Sequence, residues 1–214
     1  MSRIRIKICG LTRDEDVRVA VASGADAIGF VFTESPRRIS IETAIRLCGY
    51  VPEGVLRVGL FLDQDRSEID KVVNSVPLDV LQFHGRETEQ ECKIYGLPWL
   101  KAVAMVDAGS AKQAELDYPG ALGLLLDSHA PGRRGGSGHV FDWSLTSRLS
   151  KPVWLAGGLH EGNVGQAIRT VRPYAVDVSS GVEAAPGIKD ASRIKAFIEA
   201  VREFGNDLHN GDEQ

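Results

Sequence analysis

The chain has 214 residues, with 25 Lys and Arg against 29 Asp and Glu, a net charge of -4. That length suits one well-buried α/β domain and is too short for two large ones. The acidic balance argues against a nucleic-acid or anionic-membrane partner, and no apolar run approaches a bilayer span or a signal-peptide core, so a cytoplasmic protein is expected. Cys9, Cys48 and Cys92 are odd in number and show no paired spacing, which fits a reducing compartment and speaks against a disulfide framework or a zinc site.

In chain order, Ile4–Cys9 alternates apolar and polar like a short strand and stops at Gly10. Thr12 with Glu15 then reads as a capping box that opens a helix. Asp65 with Glu68, Thr88 with Glu91, and Ser110 with Gln113 repeat that signal, and Ser40 ahead of Glu42 adds a weaker one. A strand precedes each start: Ala27–Phe32 before residue 40, Leu56–Leu62 before 65, Val80–Phe83 before 88 and Trp99–Met105 before 110. The second half continues with Leu122–Asp127, Val153–Ala156 and Ala175–Val178, each followed by a loop and a helix. The last helix, near Ala191–Phe204, carries Ile194, Phe197, Ile198 and Val201 at helical spacing.

Eight strands alternating with eight helices predict a single-domain α/β protein, a (β/α)₈ TIM barrel over residues 1–204, with a polar tail at 205–214 that frays. A doubly wound open sheet is the rival. The count of eight and the lack of a Gly-x-Gly-x-x-Gly turn after the first strand favour the barrel.

In such barrels catalytic groups stand at the C-terminal strand ends. Cys9 ends the first strand, His84 follows the fourth and Asp127 ends the sixth. Gly157-Gly158 and Ser179-Ser180-Gly181 follow the seventh and eighth, where bare backbone N–H groups and a helix N-terminus often hold a phosphate. One glycine pair is a tight turn; two at adjacent strands favour phosphate. The loop Ser128–Gly138 is long and glycine-rich, like a lid. Read alone, Asp127 could equally cap a turn or pair with Arg133 or Arg134. Arg37 suits capture of a carboxylate, although by itself it is a solvated loop charge. His84 can be simply hydrogen-bonded to backbone, and Trp99, Trp143 and Trp154 read as packing residues.

Together these segments resemble phosphoribosylanthranilate isomerase. The matching pieces are Lys7-Ile8-Cys9-Gly10-Leu11-Thr12, Gly29-Phe30-Val31-Phe32 through Ser35-Pro36-Arg37, and Gln82-Phe83-His84-Gly85. Further on come Leu125-Leu126-Asp127, Gly135-Gly136-Ser137-Gly138 with Phe141-Asp142-Trp143, Ala156-Gly157-Gly158-Leu159 with Asn163, and Asp177-Val178-Ser179-Ser180-Gly181-Val182-Glu183. The likeness runs in order from Lys7 to about Phe204 and is to the single-domain form.

The resemblance implies an Amadori rearrangement of N-(5-phosphoribosyl)anthranilate, in tryptophan biosynthesis. It implies Asp127 as general acid, Cys9 as general base, Arg37 as anthranilate-carboxylate clamp and the two glycine turns as phosphate holders. His84 and Asp177 join the substrate-binding set. No metal or organic cofactor is implied, and the partner is a small phosphoribosyl substrate; the chain is expected to be a monomer or a weak homodimer. A base at Cys9 needs a thiol pKa below the usual ~8.5. Strand parity puts Lys7 on the inward face with Cys9, and Asp177 inward from the eighth strand, which predicts a buried Lys7–Asp177 pair supporting the barrel. The rivals are another phosphosugar barrel isomerase or epimerase, and a non-catalytic barrel that binds a phosphorylated ligand. The second would have no reason to keep both Cys9 and Asp127.

Overall fold

The structure, a computed structural model, describes residues 3–128, 140–146 and 148–211. Strands β1 (Arg5–Cys9), β2 (Ala27–Val31), β3 (Leu56–Phe61), β4 (Val80–Phe83), β5 (Trp99–Ala104), β6 (Gly123–Asp127), β7 (Val153–Leu155) and β8 (Ala175–Val178) form a closed parallel barrel. β8 returns to pair with β1, in a register that sets Lys7 beside Asp177. Helices α1 (Asp14–Ser23), α2 (Ile41–Cys48), α3 (Arg66–Ser75), α4 (Glu89–Lys93) and α5 (Ser110–Asp117) follow the first five strands. Helix α6 (Val164–Val171) follows β7 and α7 (Ala191–Gly211) closes the chain.

Alternation along each strand sorts side chains into two apolar layers. Outside the barrel, Ile6, Ile8, Ile28, Phe30, Leu124, Leu126, Val176 and Val178 pack under the helices. Inside it, Cys9, Ala27, Val31, Val58, Leu60, Leu100, Leu125 and Trp154 fill the interior. On the outer face of β3–β5, Phe32 stacks on Phe61 at 5.6 Å, and the rings continue through Phe83 to Trp99 and Tyr118. Trp99, Trp143 and Trp154 are all buried, as packing residues are.

Several local expectations part from the structure. Between β6 and β7 the described residues hold only a 3₁₀ turn, Trp143–Leu145, and seven α-helices are seen among the described residues. Residues 129–139, which include most of the expected lid and both Arg133 and Arg134, lie outside the described residues. Thr12 does not cap α1, whose N-cap is Arg13; the Thr12 hydroxyl donates to the Gly187 carbonyl at 2.6 Å, because a hairpin after β8 folds back over it. Ser110 lies inside α5, and Asp107 accepts from the Gly109 and Ser110 N–H groups in its place. Thr88 and Glu91 do form the full reciprocal box, and Ser40 caps α2 by accepting from the Thr43 N–H. The segment after Gly205 continues as the last turns of α7 to Gly211, each added residue extending a helix already docked by Ile194, Phe197 and Val201. Residues 212–214 lie outside the described residues.

The hairpin is a late addition to the barrel plan. After a 3₁₀ turn at Ser180–Val182, β9 (Glu183–Ala185) and β10 (Ile188–Lys189) form an antiparallel pair ahead of α7. It is fastened to the start of α1, where the Lys189 N–H donates to Asp16 and Arg13 donates to the Lys189 carbonyl.

Candidate active site

The C-terminal mouth of the barrel opens into a cavity of about 510 Å³. Cys9, Arg37, His84, Asp127, Asp177, Gly157, Gly158, Ser179 and Ser180 all stand on its wall, contributed by β1, β6 and β8 and by loops after β2, β4, β7 and β8. Gly181 stands behind the wall. A Cβ there would lie 1.9 Å from the Leu159 carbonyl, so glycine lets the loops after β7 and β8 touch.

Cys9 is made possible by Gly29, its register partner on β2. A Cβ at residue 29 would sit 2.7 Å from the Cys9 sulfur, closer than atoms pack. Below Cys9, Lys7 is fully buried and donates to Asp177 at 3.0 Å, the ion pair that parity and barrel closure imply. Burial disfavours the Lys7 charge, but the Asp177 and Cys9 charges outweigh it and hold Lys7 above the ordinary range. Asp177 is drawn upward, chiefly by burial, against the pull of Lys7.

Cys9 departs from expectation. Burial pushes its thiol up, and although Lys7 and Lys189 pull it down, burial wins. Burial therefore favours the neutral thiol over the thiolate. Parity supplied the nearby lysine correctly, but the cost of desolvating a thiolate is set by the surrounding packing.

Asp127 points inward at the end of β6 and lies within 3.4 Å of the Ser128 hydroxyl. Gly157 clears room beside it: a Cβ there would come within 2.7 Å of the Ser128 N–H nitrogen and 3.0 Å of the Asp127 carboxylate. Gly157 and Gly158 have φ of +81° and +67°, the left-handed region that side chains resist. Asn163 holds this turn, donating to the Gly158 carbonyl at 2.9 Å and accepting from the His160 N–H.

His84 reaches the wall with its ring nitrogen against the Gln82 side-chain amide, while its backbone N–H donates to the Phe61 carbonyl. Gln82 is fully buried in the barrel interior and also borders the cavity. No strand-end rule singles it out; only inward parity two residues before His84 could have done so.

Arg37 is buried, which a solvated loop charge would not be. Glu183 takes its Nε and Nη2 in two bonds of 2.7 Å each. Burial works against the Glu183 charge, yet Arg37 and Lys189 hold its carboxyl below the usual range. Lys189 donates to Glu183 at 2.9 Å and to the Ser179 carbonyl at 3.0 Å. Burial pulls Lys189 below the ordinary lysine range against the support of Glu183. Sequence reasoning quoted Glu183 only as the end of a motif and passed over Lys189, because the hairpin that delivers it leaves no periodic signature. Among the described residues, no cluster of three or more metal-ligating side chains forms.

A closed parallel barrel whose catalytic mouth gathers a thiol, carboxylates, a held arginine and glycine turns at β7 and β8 defines a (β/α)₈-barrel enzyme. The chain belongs to the N-(5′-phosphoribosyl)anthranilate isomerase family, whose family model, N-(5'phosphoribosyl)anthranilate (PRA) isomerase, matches residues 6–200. It is 53% identical over 205 residues to the N-(5′-phosphoribosyl)anthranilate isomerase of Pseudomonas putida (strain W619), covering 95% of this chain and all of that protein. Phosphoribosyl anthranilate isomerase from Thermotoga maritima superposes with a TM-score of 0.84 at 41% identity, covering 94% of this chain and 99% of that one. A phosphoribosyl anthranilate isomerase in complex with reduced 1-(o-carboxyphenylamino)-1-deoxyribulose 5-phosphate does so at 0.80 and 39%, with the same coverage.

Proposed function

We propose that the protein converts N-(5′-phosphoribosyl)anthranilate to 1-(o-carboxyphenylamino)-1-deoxyribulose 5-phosphate, the Amadori step of tryptophan biosynthesis. The observation that carries this is the convergence of Cys9 and Asp127 on one cavity whose wall also bears Arg37 and both glycine turns.

Asp127 is the general acid: it protonates the ribose ring oxygen, and the anthranilate nitrogen pushes the ring open to a cationic Schiff base. Cys9, as thiolate, removes the C2′ proton, and the resulting enolamine tautomerises to the ketone. Burial opposes that thiolate in the open site. The positive charge of the Schiff base beside C2′ offsets this, so the thiolate is most favoured at the step that uses it. Lys7 and Lys189 act in the same direction.

Arg37 clamps the anthranilate carboxylate. Glu183 occupies one edge of its guanidinium and leaves the Nη1 side for the substrate. The phosphate lies against Gly157-Gly158 and Ser179-Ser180, with Gly181 closing the loops on each other. His84 and Asp177 bind the sugar hydroxyls between the two ends. The rearrangement transfers protons only and calls on no metal or organic cofactor.

The three cysteines are free thiols, which suits a reducing cytoplasm, and no described helix is long and apolar enough to cross a membrane. The exposed apolar side chains Ile45, Leu116 and Tyr174 stand on α2, on α5 and in the turn before β8, which supports a monomer or a weak homodimer; sedimentation across a concentration series distinguishes the two. The test of function is the loss of anthranilate fluorescence on adding fresh phosphoribosylanthranilate to the purified protein. An unchanged signal at high enzyme concentration overturns the assignment.

A further inference from the structure

Lys189 is a buried cation to which the isomerase reading gives only an electrostatic part, its pull on the Cys9 thiol. It is 3% exposed, stands at the end of β10 and does not reach the cavity wall. Its ammonium makes three contacts: Glu183 Oε1 at 2.9 Å, the Ser179 carbonyl at 3.0 Å and the Ser179 hydroxyl at 3.4 Å. Each contact leads to one end of the proposed substrate. Glu183 aims Arg37 through two bonds of 2.7 Å, and Ser179 belongs to the loop assigned to the phosphate.

The rest of the hairpin is built to keep that ammonium in place. The Gly187 N–H donates to Glu183 at 3.3 Å, and Arg193 donates to the Glu183 carbonyl at 2.6 Å. Asp16 and Arg13 grip the Lys189 main chain from the start of α1. Burying a lysine is costly unless its hydrogen bonds are met. An apolar residue would satisfy packing here without that cost, but it would leave Ser179 and Glu183 unconnected.

We propose that Lys189 is a positioning residue that couples the two anion anchors, holding the Ser179 loop and the Glu183–Arg37 fork in one fixed separation. The proposal rests on the phosphoribosylanthranilate reading of the cavity. A rigid spacing makes the two ends bind as a unit, so that fixing one end presents the other at high effective concentration.

The experiment uses Lys189→Met, which keeps most of the side-chain volume and removes the charge, with Lys189→Arg as the conservative partner. Each end is probed separately by calorimetry, with inorganic phosphate for one and anthranilate for the other. Lys189→Met is expected to weaken both probes and to raise KM by about 10-fold or more, the scale of a lost charge-assisted hydrogen bond, with kcat falling much less. Lys189→Arg should restore most of the loss. Glu183→Gln should weaken anthranilate alone. If Lys189→Met does not fold by circular dichroism, Lys189→Gln supplies the same comparison with a donor retained and the charge removed. A folded charge-removing variant that binds both probes as the wild type does overturns the coupling, and so does one whose kcat falls with KM unchanged. A wild type that turns over phosphoribosylanthranilate while Lys189 variants are silent rejects this proposal alone. A wild type that does not turn it over rejects the substrate reading first.

Discussion

The two ends of the barrel use the same chemical device for different purposes. At the N-terminal end, Arg57 on β3 forks onto Asp79 with bonds of 2.8 Å from Nε and Nη2. At the C-terminal mouth, Arg37 forks onto Glu183 with bonds of 2.7 Å. The geometries are nearly identical, but the surroundings are not. The Arg57 and Asp79 side chains keep 29% and 30% of their surface in water, whereas Arg37 and Glu183 keep 10% and 5%. The outer fork joins β3 to the residue just before β4 and lines a separate hollow of about 320 Å³; the inner one joins residues 146 apart, and its arginine stands on the wall of the mouth cavity. An arginine–carboxylate pair is therefore not a functional signal in itself. Near-complete burial at the mouth that Cys9 and Asp127 also line is what sets the inner pair apart.

The largest effects should come from the mouth. Cys9→Ala and Asp127→Asn should each lower kcat by about 10²–10⁴-fold, the usual worth of a positioned acid or base. Cys9→Ser should be nearly as damaging, since a hydroxyl is a far weaker base than a thiolate. Steady-state kinetics beside circular dichroism checks this: a folded Cys9→Ala protein with near-wild-type kcat would take the thiol out of the mechanism. Next comes Gly158→Val, which forces a branched side chain into a left-handed backbone on the cavity wall. KM should rise strongly, and an unaltered KM would place the phosphate elsewhere.

Exchanging the two forks sharpens the contrast directly. Arg37→Ala should raise KM by about 10–100-fold, as expected when a charge-assisted pair is lost, and more than Cys9→Ala does. Arg57→Ala should leave KM within twofold, and the exposed neighbour Arg38→Ala should matter little. Equal kinetic effects at residues 37 and 57 would erase the distinction between the two ends.

The pH behaviour of Cys9 gives a subtler test. Because burial raises the thiol, its alkylation in the free protein should climb only above the usual range near pH 8.5. If the Schiff base supports the thiolate, the ascending limb of kcat should fall at lower pH than this alkylation curve. A kcat limb coinciding with the alkylation curve would remove that support. The smallest effect belongs to the outer fork. Burial works against the Asp79 charge, but the hydrogen bonds and charge of Arg57 hold its carboxyl below the usual range. Its stabilisation is therefore present above the unfolded value near 3.9 and is lost as pH falls through the lower folded value. Asp79→Asn should cost roughly 0.2–1 kcal/mol at pH 7, less at pH 3, by thermal unfolding; a cost that grows on acidification would contradict the sign.

Much of this was legible from the chain alone, and the reason is locality. Alternation along Ile4–Cys9 separated Ile6 and Ile8 from Lys7 and Cys9, and those two pairs do occupy opposite faces of the barrel wall. The strand ends Cys9, His84 and Asp127 were readable because a strand and its following turn are written in a handful of consecutive residues. The lengths of the eight strands were recovered to within a residue or two on the same ground. What tertiary structure decided depends on groups far apart in sequence. Thr12 looked like a helix cap and became an anchor for the hairpin at Gly187. Arg37 looked solvated until Glu183 and Lys189 closed around the mouth. Gly29 makes room for Cys9 only because β1 and β2 pair in that register. The direction of the thiol's shift also escaped the sequence, since a neighbouring lysine can be inferred from parity, but desolvation follows from everything that packs around the sulfur once the barrel is closed.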